Sequence, residues 1–125
     1  MDYNFFMLTG RTSISNELLT NKVKVVLSKL GMNEKYHSFE YLSYIIVYML
    51  LHDDSTKSYH DACNFLRLRF EIANKSISSG IASLLNNCDN ELLKSKTQYK
   101  LNNSMINKIR VIKNYVLNTL SNFHD

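Results

Sequence analysis

Residues 58–87 read SYHDACNFLRLRFEIANKSISSGIASLLNN, and this stretch decides the fold. Ala62, Phe65 and Leu66 recur on one helical face, while Arg67 and Arg69 fall outside it. Phe70 to Asn74 reads as a tight five-residue turn. Beyond it Ile77, Ile81, Leu84 and Leu85 return to helical spacing. Ser58 followed by Asp61 fits a capping box with a shorter acid, and Asn74 fits the N-cap of the second helix. Two short helices across a tight turn are the layout of a helix-turn-helix, a unit that usually sets its second helix in the DNA major groove. That helix would display Lys75, Ser76, Ser78, Ser79, Ala82, Ser83 and Asn86. Gly80 interrupts it at a cost of about 1 kcal/mol relative to alanine, which suits a close approach to a neighbouring helix.

The flanking segments predict helices as well. Over residues 16–30, Leu18, Leu19, Val23, Val26, Leu27 and Leu30 share a face, with Lys22, Lys24 and Lys29 off it. Gly31 is placed to end that helix as a left-handed C-terminal cap. A second helix over 39–52 has Ser38 as its N-cap, and Tyr44 to Leu51 make it the most apolar segment and the central helix. Met105, Ile109, Ile112, Val116 and Leu120 mark a last helix over 104–122. Residues 89–101 are a polar, basic connector with room for one short helix near Glu91. Residues 1–13 lack periodicity and read as an arm. The chain has no proline and three glycines in 125 residues, so helix breakers are scarce. The expectation is an all-α fold: one helical domain of five or six helices over 1–125.

Charge is unevenly spread. Residues 1–62 hold six Lys/Arg against seven Asp/Glu, a net of −1; residues 63–125 hold nine against four, a net of +5. The basic half contains the displayed helix, which favours a polyanionic partner. Arg67, Arg69, Lys94 and Lys96 are placed to hold phosphates, with Lys75, Ser76, Ser78, Ser79 and Ser83 toward the groove. No acid lies between Lys94 and Lys113, so Lys94, Lys96, Lys100, Lys108, Arg110 and Lys113 form a second basic run, in which Lys108 and Lys113 read better as a solvated helix face.

Other chemistries find little support. His60 and Cys63 share a helical spacing but have no evident third and fourth ligands. Asp53-Asp54 lacks the glycine and terminal glutamate of a calcium loop. There is no phosphate-binding glycine loop, nucleophile elbow or paired-carboxylate motif. Cys63 and Cys88 read as reduced, buried thiols. No apolar run approaches the ~18 residues of a membrane span. The expectation is a cytoplasmic, non-enzymatic protein with no cofactor, no metal and no membrane partner.

With these residues placed, the chain resembles the C-terminal DNA-binding effector domain of the stage-zero sporulation response regulator of endospore-forming Firmicutes. The likeness runs from about Val23 to Leu120 and is strongest over KLGMNEKYHSFEYLSYII at 29–46. Phe70, Ile77 and Ile81 match apolar positions that pack the family's helix-turn-helix, and Asn102-Asn103-Ser104 resembles the start of its closing helix. The resemblance implies a stand-alone transcriptional regulator without the receiver domain, binding double-stranded DNA, with a homodimer on tandem sites. The chain departs from the family in lacking loop prolines and in having Ser76, Ser78 and Ser79 where the family's recognition helix carries arginines and a glutamate. That loss motivates the alternative: a degenerate helix-turn-helix that binds another protein, such as a sporulation or transcription regulator.

Overall fold

A computed structural model describes residues 13–100 and 103–122. Of the expected arm at 1–13, residues 1–12 lie outside the described residues, as does Asn102, and Ser13 begins the first helix. Six helices occur in the order α1 (Ser13–Lys29), α2 (His37–Leu51), α3 (Thr56–Phe70), α4 (Asn74–Asn86), α5 (Asn90–Lys96) and α6 (Met105–Asn122), with no strand among the described residues. The all-α expectation therefore holds, with six helices.

α2 is the hub, packing against α1, α3, α4 and α6. Its sequence explains this, because Phe39, Leu42, Ile45, Ile46, Val47, Tyr48 and Met49 are all buried and leave it almost no solvent face. α1 closes with a left-handed glycine. Gly31 has φ +93°, the Gly31 N–H donates to the Ser28 carbonyl, and the Met32 N–H donates to the Leu27 carbonyl. Buried Met32 and Leu27 add the apolar contact of that motif.

The caps differ from the sequence expectations. α2 starts at His37 with Tyr36 in the cap position, and Ser38 is buried inside the first turn. Ser55, not Ser58, caps α3: its hydroxyl accepts from the Ser58 N–H at 3.1 Å. The Ser58 hydroxyl instead donates to Asp53, and Asp61 pairs with Lys57 at 3.6 Å rather than closing a capping box. α4 is capped by the backbone of Ala73 without a side-chain bond, and Asn74 is its first helical residue. Leu18, expected inside, is 58% exposed.

Asp53 organises the α2–α3 loop. Bonds from the Ser55 hydroxyl, the Ser55 N–H and the Ser58 hydroxyl hold its carboxyl down to about 2. A folded-state value below the unfolded one stabilises the fold above about pH 4 and loses that stabilisation as pH falls toward 2. Asp53→Asn is therefore expected to unfold at lower denaturant concentration than wild type at pH 6, with the gap shrinking toward pH 2. Equal sensitivity of both proteins to acid would remove this role from Asp53.

α3 and α4 are joined by only three residues, Glu71, Ile72 and Ala73. Glu71 takes the left-handed conformation (φ 54°, ψ 48°), and the Ile72 N–H donates to the Arg67 carbonyl. A side chain in that region is strained. Glu71→Gly is expected to stabilise the fold by about 0.5–1 kcal/mol, raising the thermal midpoint by a few degrees; a lower midpoint would show that Glu71 makes a compensating contact.

Candidate nucleic-acid interface

α4 is a weak helix on its own. Four serines, two asparagines and a glycine cost it about 4 kcal/mol against an all-alanine helix. Its inner edge offsets this: Ile77, Ile81, Leu84 and Leu85 are all 1% exposed or less, worth about 6–12 kcal/mol at the upper bound of apolar transfer. Docking therefore makes this helix, and the helix stands where α2 and α3 hold it. Gly80 permits a close approach, since a methyl there would lie 3.1 Å from the Ser38 Cβ of α2.

Lys75, Ser76, Ser78, Ser79, Ser83 and Asn86 are all exposed. The 3.6-residue turn sorts them into three groups. Ser79, Lys75 and Asn86 lie opposite the buried edge. Ser78 leans to α3, where its hydroxyl bonds the Tyr59 phenol. Ser76 and Ser83 lean to α2 and, with Gly80, line a shallow groove of about 360 Å³ whose other wall includes Lys35, His37 and Tyr41. The Ser83 hydroxyl also accepts from the Asn87 amide at 3.4 Å. Lys35 and His37 had no mark in the sequence as members of this surface.

The arginines do not act as a pair. Arg67 and Arg69 are both exposed, but two positions apart they face different sides of α3. Arg67 lines a depression with Glu71 and Asn74, next to the first turn of α4. Arg69 lies over the Phe70 ring at 5.1 Å, and that ring meets Tyr41 at 5.3 Å. α4 contains no Asp or Glu. No side chain caps its exposed first turn, which leaves the positive end of the helix dipole facing solvent.

The basic run at 94–113 divides. Lys94 and Lys96 are exposed in the last turn of α5, a separate helix, and line neither the groove nor the depression. Lys113, expected on a solvated face, is only 8% exposed; its ammonium lies 3.2 Å from the Asp54 carboxylate and 2.8 Å from the Asn114 amide oxygen. The Arg110 Nε donates to the Asp54 carbonyl at 2.7 Å. These two cations pin the α2–α3 loop to α6, so Lys113 is committed to the fold.

Buried titratable groups near α4 stay neutral at ordinary pH. Burial pushes the Tyr59 phenol up to about 12, with the neighbouring Cys63 thiol adding to the shift and the Ser78 bond opposing it. Burial likewise raises the Cys63 thiol. Cys63 and Cys88 are both free and buried. His60 is exposed while Cys63 is not, and no three metal-ligating side chains converge among the described residues. Among the same residues no helix is long and apolar enough to cross a membrane.

No protein-family model matches this chain, and neither the curated proteins nor the solved structures contain a match to it.

Proposed function

We propose that this chain is a double-stranded-DNA-binding transcriptional regulator, with α3 and α4 as its helix-turn-helix. The observation that carries the reading is the outer face of α4: exposed, carrying Lys75 and no acidic side chain of its own, with Arg67 and Glu71 sharing the depression beside its first turn. In this reading Lys75, Ser79 and Asn86 meet base edges. Asparagine pairs well with adenine and lysine with guanine, while serine discriminates little. Arg67 and Arg69 hold phosphates on either side, while Lys94 and Lys96 on α5 add exposed positive charge outside that surface. A homodimer on tandem sites and the likeness to the sporulation regulator's effector domain belong to the same proposal.

A mobility-shift titration with folded protein and a mixed-sequence duplex tests it. Retardation at micromolar protein and low salt is expected; free duplex throughout would refute it.

One observation favours the second reading, a protein partner among transcription regulators: Leu68 is 70% exposed beside Arg67, on the rim of the same surface. Capture from lysate with and without nuclease separates the two. Partners that persist after nuclease support protein contact, and partners that vanish support DNA.

A further inference from the structure

The groove between α2 and α4 has one wall of hydroxyls and one wall with nitrogen donors. Ser76, Gly80 and Ser83 form an edge of α4 about 10 Å long at 1.5 Å per residue. Facing them are Lys35 in the α1–α2 connection and His37 in the first turn of α2, both exposed. No carboxylate lines the groove. The nearest acids in sequence point away or stand elsewhere: Glu40 lies 3.7 Å from Lys24 of α1, and Glu71 lines the depression beside Arg67. Glu34 is exposed outside the groove.

We infer that this groove takes the sugar–phosphate backbone of one DNA strand, with Lys35 as its principal phosphate-binding residue and His37, Ser76 and Ser83 as hydrogen-bonding partners. The inference rests on the DNA-binding reading and adds a second wall to its site. Three features support it. The groove carries positive charge without a competing acid, which suits a polyanion and not a basic partner. Its edge spans about three nucleotides at 3.4 Å of axial rise per strand. Small side chains along α4, and none at Gly80, leave the groove open beside the outer face of the same helix, where the neighbouring strand's backbone must pass. The assignment divides the serines by role. Ser76 and Ser83 contact backbone and carry no sequence information, leaving discrimination to Ser79, Asn86 and Lys75.

The test is fluorescence anisotropy of two unrelated duplexes with wild type and Lys35→Gln, across salt from about 50 to 200 mM. Lys35 is exposed, so the variant keeps its fold, which a thermal melt checks. The expected result is an affinity loss of about eightfold at 0.1 M salt, equal for both duplexes, and a log–log salt slope shallower by about 0.9. If wild type binds and Lys35→Gln matches it in affinity and slope, the groove assignment falls while the DNA-binding reading stands. If only one duplex is affected, Lys35 reads bases and the backbone assignment falls. If wild type binds neither duplex, both fall together.

Discussion

Replacing Arg67 and Lys75 together with glutamine is expected to weaken duplex binding about fiftyfold at 0.1 M salt. The lost Arg67 phosphate contact, with a salt slope of about 0.9, removes roughly an eightfold factor at that concentration, and the lost Lys75 base contact, worth at least about 1 kcal/mol, removes roughly a further fivefold or more. Both side chains are exposed, with Arg67 at the edge of the depression beside Asn74 and Lys75 in the first turn of α4. The double variant should melt with the wild type, because exposed substitutions away from caps and core change stability by less than about 0.5 kcal/mol. Lys22→Gln is the matched control. Lys22 lies in the cleft between α1 and α6 with Val25 and Tyr115 and takes no part in the proposed surface. Anisotropy titrations of the three proteins check the prediction. A logarithmic loss for Lys22→Gln half that of the double variant, which removes two charges to its one, would mean that net charge alone, and not this surface, drives binding.

The second large effect concerns the platform beneath the surface. Ile81 is fully buried in the core and is one of four residues that hold α4 down. Ile81→Ala is expected to cost about 3 kcal/mol through lost transfer energy and the cavity left behind. That is a large part of the ~5–15 kcal/mol that stabilises a typical domain. Urea denaturation should show a lower midpoint at an unchanged slope. Ser79→Ala, on the opposite side of the same helix, should leave the midpoint in place. A cost below about 1 kcal/mol for Ile81→Ala would mean that α4 is loosely held, and the rigid display required of a reading helix would be lost.

The sequence carried the helices well and the contacts between them poorly. The apolar spacing of Ile77, Ile81, Leu84 and Leu85 has one helical solution, and burial follows it. Gly31 announced its left-handed turn for the same local reason. The capping serines failed because tertiary structure claimed them. Ser38 is wanted for its small size under Gly80, and Ser58 spends its hydroxyl on Asp53. Lys113 looked like surface because its partner Asp54 lies far along the chain, and periodicity says nothing about such pairs. Lys35 and His37 escaped notice for a related reason. They join the α4 surface only through the packing of α2 on α4. The available hint was a glycine inside a helix, Gly80, whose poor propensity signals a close neighbour without saying which one.

The most direct measurement is the affinity of the full chain for a short mixed-sequence duplex at several salt concentrations, with folding confirmed by circular dichroism. Phosphate contacts from Arg67, Arg69 and Lys35 predict a dissociation constant in the micromolar range at about 50 mM salt, weakening roughly fortyfold by about 200 mM. A folded protein that binds no duplex at the lowest salt, or that binds with no dependence on salt, contradicts the account.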